Sequence, residues 1–220
     1  LILLGFYTVS TVLAKESIRT KVAEHSSVTL PDGTGVELNA ATKISWDKNS
    51  FTGERAVKLS GEALFDVTKG GRFTIETKNG TVEVLGTQFN VFSRKDEFRV
   101  CCLRGKVRVS SNRSRQILLP GEEAALTSAG LIKQAKNDIE TAISWTEGIF
   151  YFEDKPLVSI FDELERQFNV SVRYEEKKDR LMTVGFSNKS LQEALDVICI
   201  PMNLDYEIQR NRNVRIFAKK

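Results

Sequence analysis

The chain has 220 residues, 41% of them hydrophobic, which is ample for one or two globular domains. Its 32 Lys and Arg are interleaved with 29 Asp and Glu for a formal net charge of +3, so a polybasic nucleic-acid footprint is not indicated. One histidine and three cysteines leave little material for metal or nucleophile chemistry.

In chain order, the first charged side chain is Lys15. The uncharged residues before it, opening Leu1-Ile-Leu-Leu-Gly-Phe-Tyr7, are too few to cross a bilayer as a helix, which takes about 20. They would suffice as the outer end of a truncated membrane anchor, and residues 1–16 are read that way. A signal-peptide remnant and an apolar first strand are the other readings.

From 17 to 130 short alternating runs are broken by Gly and polar residues, among them Val36-Glu-Leu38, Val57-Lys-Leu59, Phe73-Thr-Ile75 and Val107-Arg-Val109. The pattern predicts an all-β domain, either a two-sheet sandwich or a short β-solenoid. Asp32-Gly33 and Asn79-Gly80 read as type I′ hairpins, and the run Ser110 to Arg115, centred on Asn112, as a third loop. Residues 131–148 then form a polar linker whose Ile139, Ile143 and Trp145 ride on a short helix, with a domain boundary near Trp145 to Gly148.

Residues 149–220 state one pattern twice. Phe152-Glu-Asp154-Lys155-Pro156-Leu157 recurs 34 positions later as Phe186-Ser-Asn188-Lys189-Ser190-Leu191. In each copy an alternating apolar run meets Asp154 or Asn188 as a candidate N-cap, followed by an apolar stripe at helical spacing. The stripes are Leu157, Ile160, Phe161, Leu164 and Phe168, then Leu191, Ala194, Leu195 and Ile198. Pro156 falls in the first turn, where its missing N–H costs nothing. Asn169 and Asn203 end the helices, and the period switches to two at Val170, Val172, Tyr174 and at Leu204, Tyr206, Ile208. This predicts a small α+β domain of two βαβ repeats.

A search for chemistry finds none. His25 lies in Glu24-His-Ser26-Ser27 with no G-x-S-x-G elbow in the chain, and a surface histidine is the default. Gly33-Thr-Gly35 and Gly105-Lys106 miss the further glycines a phosphate loop needs and read as turns. Cys101 and Cys102 are neighbours whose side chains face opposite sides of a strand; with Cys199 they read as buried free thiols, a disulfide from Cys199 to one of the pair being the sharper reading. Asp162, Glu163 and Glu165 read as the solvated face of the first repeat helix. No catalytic, metal or cofactor residue is assigned.

The segments Leu30-Pro-Asp-Gly-Thr34 with Val36-Glu-Leu-Asn39, Val57-Lys-Leu-Ser-Gly-Glu-Ala63 with Phe65-Asp-Val67, Val84-Leu-Gly-Thr-Gln-Phe-Asn-Val91, Gly105-Lys-Val-Arg-Val109 and Leu119-Pro-Gly-Glu122 follow one another in the order of a known family. On these residues the chain resembles the extracytoplasmic part of a FecR-family anti-sigma factor of the Bacteroidetes type. The repeat from Ile149 to Ala218 is similar to that family's C-terminal domain, itself like the short N-terminal domains of secretins and TonB-dependent receptors. The resemblance implies a periplasmic region of a single-pass inner-membrane protein. It implies as partners the signalling domain of an outer-membrane TonB-dependent receptor, and a sigma factor bound through a cytoplasmic segment absent from this sequence. The motif glycines sit at turns and close approaches, so the signatures mark the fold rather than a site.

A binding function without chemistry follows. The contact residues expected for it are Asn213, Val214, Arg215, Ile216 and Phe217, read either as an exposed edge that accepts a strand from the transducer, with Arg215 and Lys219 supplying charge, or as an edge capped within the chain. The rival is a carbohydrate-binding module, with Trp46, Phe51 and Phe65 as candidate exposed aromatics; a hydrolase would need a catalytic set that the sequence does not offer.

Overall fold

The computed structural model describes residues 15–112, 114–136, 138–176 and 179–219, so Leu1 to Ala14 of the expected anchor lie outside the described residues. Among the described residues, no helix is long and apolar enough to cross a membrane.

The N-terminal unit contains β1 (Lys15–Arg19), β2 (Ser26–Thr29), β3 (Gly35–Leu38), β4 (Lys43–Asp47), β5 (Arg55–Asp66), β6 (Phe73–Glu76) and β7 (Thr81–Val84). It continues with β8 (Gln88–Arg94), β9 (Glu97–Arg104), β10 (Val107–Ser111), β11 (Ser114–Leu118), β12 (Glu122–Thr127) and β13 (Gly130–Ala135). Two layers share the long strand β5. Its first half pairs with β4 and β6, giving the order β1-β4-β5-β6-β7-β10-β11. Its second half pairs with β3 and β8, giving β2-β3-β5-β8-β9-β12-β13. Alternate side chains from both layers, such as Ile44, Val57, Ile75 and Val107 from one and Leu38, Phe65, Phe89 and Val100 from the other, meet in one core. This is the sandwich rather than the solenoid.

The layer change happens at Gly61. Its φ is +125°, and a Cβ there would stand 2.4 Å from Thr42 Oγ1. The Thr42 hydroxyl instead accepts the next amide, Glu62 N, at 3.0 Å. Only glycine allows both the turn of the strand and this close approach.

Neither expected I′ turn forms: backbone bonds close both loops, Leu30 N to Thr34 O and Thr77 N to Gly80 O at 2.9 Å each, and side chains add to them. At Asp32-Gly33 only the glycine takes positive φ, and Asp32 Oδ1 accepts from Thr34 N at 3.0 Å. At Asn79-Gly80 neither residue does; the Thr77 hydroxyl accepts both amides, at 3.1 and 3.0 Å. The loop centred on Asn112, at φ +49°, does join β10 to β11 as a hairpin. Asp32 also pairs with Arg55 at 2.9 Å, both side chains about nine-tenths buried, so the Leu30–Thr34 motif builds a turn and an internal ion pair. Strand β13 occupies the start of the stretch expected as linker, which here begins only after Ala135.

Two short 3-10 turns, Glu140–Ala142 and Ser144–Glu147, lead to Gly148, whose φ is +75°. Then come β14 (Ile149–Pro156), α1 (Leu157–Phe168), β15 (Ser171–Tyr174), β16 (Leu181–Ser187), α2 (Leu191–Cys199), β17 (Leu204–Ile208) and β18 (Asn213–Ala218). Strand, helix and strand do repeat. The opening strands β14 and β16 pair antiparallel with each other, while β15 and β17 flank β18 in a second sheet. The predicted stripes are the buried helix faces, and with Phe150, Phe186, Val214 and Ile216 they form a second core.

The helix ends divide. Asn169 ends α1 in the left-handed conformation as expected, at φ +52°; Asn203 takes it too, at φ +51°, but four positions past Cys199, the last residue of α2, whose C-cap is Ile200. The expected N-caps do not form. Asp154 sits in a bulge of β14 at φ +50°, and α2 is capped by Ser190, which accepts from Glu193 N. Helix α1 begins at Leu157, with Pro156 as its N-cap rather than a residue of its first turn, and Arg180 O and Asp179 Oδ1 receive its first free amides.

Candidate functional site: the seam between the two units

The C-terminal unit covers part of the outer face of the β2-β3-β5-β8-β9-β12-β13 layer. Leu64, on that face of β5, belongs to the second core together with Trp145, Phe150 and Leu157. The sequence carries a signal for this cover. The runs Ala63-Leu-Phe65, Val91-Phe92 and Cys101-Cys-Leu103 put apolar residues on both faces of their strands, which a solvated outer face does not favour.

Polar groups close a ring across the seam. Glu62 on β5 accepts from Asn39 Nδ2 at 2.8 Å and from Asn90 Nδ2 at 2.9 Å. Asn39 Oδ1 accepts from Gln167 Nε2 of α1 at 2.9 Å, and Gln167 Oε1 accepts from His25 Nε2 at 3.0 Å. The His25 ring meets the Trp145 ring edge-on at 5.8 Å, and Trp145 Nε1 donates to Asn90 Oδ1 at 3.2 Å, which closes the circuit. Gln167 Nε2 also donates to Glu163 Oε1 at 2.7 Å, while Arg166 grips the other Glu163 oxygen at 2.7 and 3.0 Å. Ala23 N donates to Arg166 O at 2.7 Å, and Lys95 pairs with Asp162 at the rim.

Asn39, Glu62, Asn90, Glu163 and Gln167 are all at most 8% exposed. Burial pushes the Glu62 carboxyl above its ordinary value and nearby Glu163 adds to this, against Arg94 and the two amide donors. Burial pushes Glu163 upward too, but Arg166 and Arg94 outweigh it and hold the carboxyl below its ordinary value. Arg94 donates to Ala40 O at 2.6 Å and Ala41 O at 2.9 Å, and burial lowers its pKa.

Beside the ring the units leave a cleft of about 390 Å³. Its floor is the outer face of β9 and β12, with Arg99, Cys101 and Glu123, and its wall is β14 from 149 to 153 with Lys155. Burial brings the half-buried Lys155 ammonium below its ordinary value; Arg99 adds to this and Glu97 and Glu123 oppose it.

The residues singled out from sequence fall differently. Asn213 to Phe217 are not an edge: β18 is the central strand, paired with β15 on one side and β17 on the other. Val214 and Ile216 point into the core, and Asn213, Arg215 and Phe217 lie on the outward face, where Arg215 grips Glu175 with two bonds of 2.9 Å. Glu163 is not on a solvated face, because Arg166, Gln167 and the sandwich enclose it; Glu165 accepts from Val172 N at 2.6 Å. Trp46 and Phe65 are core residues and Phe51 packs edge-on against Phe73, so the three aromatics offer no shared face to a glycan. His25 is at the surface, yet its ring joins the seam.

The three cysteines are free and buried, Cys102 in the sandwich core and Cys199 in the second core. Burial pushes the thiols up to about 12 for Cys101 and Cys199 and about 11 for Cys102. Among the described residues no cluster of His, Cys, Asp or Glu is arranged to hold a metal.

A family model described as FecR protein matches residues 16–108, and one described as FecR, C-terminal, matches residues 149–216. No curated protein matches the chain. Two crystal structures assigned as anti-sigma factors of Parabacteroides distasonis ATCC 8503 are similar, each at 29% identity. The one at 2.50 Å superposes with a TM-score of 0.87 over 94% of this chain and 100% of the other. That at 1.65 Å gives 0.86 over 93% and 100%. With both of its family models matched in order around a shared seam, the chain belongs to the FecR family of anti-sigma factors.

Proposed function

We propose that the chain is the periplasmic, signal-receiving region of a membrane-anchored anti-sigma factor, taking a signal from an outer-membrane TonB-dependent transducer and relaying it toward a cytoplasmic sigma factor by protein binding alone. The observation that supports this best is the closed polar ring between the units. Buried hydrogen-bonded groups cannot part gradually, since each unmade bond leaves a desolvated partner behind. A partner that moves α1 therefore acts on the sandwich as well. The uncharged stretch before Lys15 serves as the anchor in this reading.

The docking face we assign is the outward side of the β15-β18-β17 sheet, through the side chains of Asn213, Arg215 and Phe217. The Arg215 guanidinium lies 5.1 Å from the Phe217 ring, so the two form one amphipathic patch. Calorimetric titration with the signalling domain of the TonB-dependent receptor encoded beside this chain tests both levels. Expected is binding that Phe217→Asp and Arg215→Glu weaken roughly tenfold or more with melting unchanged. No binding by the intact chain sinks the relay, whereas binding indifferent to both variants sinks only the docking face.

A further inference from the structure

The main chain of β14 is used on one side only. Asn188 N donates to Gly148 O at 2.9 Å, so the alternate residues Phe150 and Phe152 turn their peptide groups toward β16. Those of Ile149, Tyr151 and Glu153 point the other way. Ile149 O accepts the Ser144 hydroxyl at 2.8 Å, and beyond it, among the described residues, no strand pairs with this side of β14. This side faces the cleft. Consecutive residues from 149 to 153 line it, as an edge does, whereas β9 and β12 contribute alternate residues, Arg99 and Cys101, then Glu123 and Ala125, as a face does.

Two other edges of the C-terminal unit, those of β15 and β17, are blunted. The outward amide of β15, Val172 N, is held by Glu165, and Tyr206 N of β17 by the Asp205 carboxylate at 2.9 Å. Among the described residues, edge β14 carries no such cap at Tyr151. Around it acidic and basic side chains are equal in number but not all paired off. Lys95 and Arg166 have carboxylate partners, but among the described residues Arg99, Lys136 and Lys155 have none at ion-pair distance. The neighbouring acids Glu97 and Glu123 are engaged with the Ser159 hydroxyl and the Gln134 amide, and Glu153 lines the same wall. Arg99 is held 4.3 Å over the Phe92 ring, which fixes its guanidinium at the floor.

We propose that this cleft is a strand-acceptor site: an extended peptide segment pairs with the free edge of β14 and sets an acidic side chain between Arg99 and Lys155. Added strands draw affinity from main-chain bonds and specificity from alternate side chains, and the cleft lies within the roughly 300–1,000 Å³ of ordinary binding sites. The site is separate from the docking face at Arg215 and does not depend on which partner uses that face.

The test selects a displayed library of short random segments against the intact chain. Enriched segments are expected to carry Asp or Glu among β-branched residues and to protect the Tyr151 amide from hydrogen exchange. Their affinity is expected to fall roughly tenfold in Lys155→Gln. Tyr151→Pro deletes an outward N–H without touching a bond to β16, so loss of capture by this variant, with its melting transition retained, is the second expected result. Absence of enrichment, enrichment without acidic residues, or affinity unchanged in both variants overturns the proposal.

Discussion

Gln167 Nε2 reaches Asn39 Oδ1 at 2.9 Å across 128 positions of sequence. Both side chains are buried, and each already serves a neighbour on its own unit: Asn39 accepts Ala40 N at 2.7 Å, and Gln167 donates to Glu163. Each amide is thus oriented before the two meet.

Asn39→Ala and Gln167→Ala are each expected to cost about 1–3 kcal/mol, the range for stranding a buried polar partner. In urea unfolding the double variant should cost less than the two added together, with a coupling of about 0.5–3 kcal/mol. Simple additivity would show that the bond does not hold the units together.

The two buried carboxyls give the seam opposite responses to pH. Glu163 sits below its ordinary value, so its contribution is present above pH 4.5 and is lost as the pH falls through its folded value. Glu62 sits above that value, so its contribution is present below pH 4.5 and is lost as the pH rises through its raised value. Stability measured against pH should lose part of its acid-side fall in Glu163→Gln and part of its decline above pH 4.5 in Glu62→Gln.

Gly61→Ala forces a Cβ to 2.7 Å from the Thr42 Cα at a φ that side chains rarely adopt. The expected loss is roughly 2–4 kcal/mol by thermal unfolding. A loss under about 1 kcal/mol would mean that β5 does not need glycine to change layers.

The three thiols should resist a disulfide reagent in the folded protein at neutral pH and react together in denaturant. Burial keeps each thiol protonated, and the thiolate is the reactive form. A fast-reacting thiol in native protein would contradict this.

Val214→Pro should unfold the C-terminal unit instead of trimming an edge. Its strand is central, and proline there loses a ladder bond, at a cost of about 3 kcal/mol or more. Circular dichroism of the variant decides between the two outcomes.

The strands and the duplication were legible because alternation and the helical stripe are local signals. The start of α1 was not, since the Asp179 oxygen that meets Val158 N comes from 21 residues away, whereas the cap of α2 at Ser190, three residues before Glu193, is a local pattern that was passed over for Asn188. The seam hid for a related reason. Asn39, Glu62 and Asn90 lie inside the segments that carry the family resemblance, yet a polar residue on the outward face of a strand looks solvated until something covers it. Glu163 and Gln167 posed the same problem on α1, where a buried polar stripe and a wet one have one spacing. The misplaced edge at Asn213 to Phe217 came from its being last in sequence; β15 reaches its far side in parallel, a pairing that no turn signal announces.

Strand β5 has a mechanical consequence. It is bonded to β8 on the layer that meets α1 and to β4 on the layer that holds β1. In the proposed relay, one covalent strand, bent at Gly61, therefore joins the layer that meets α1 to the layer whose outer strand β1 begins at Lys15.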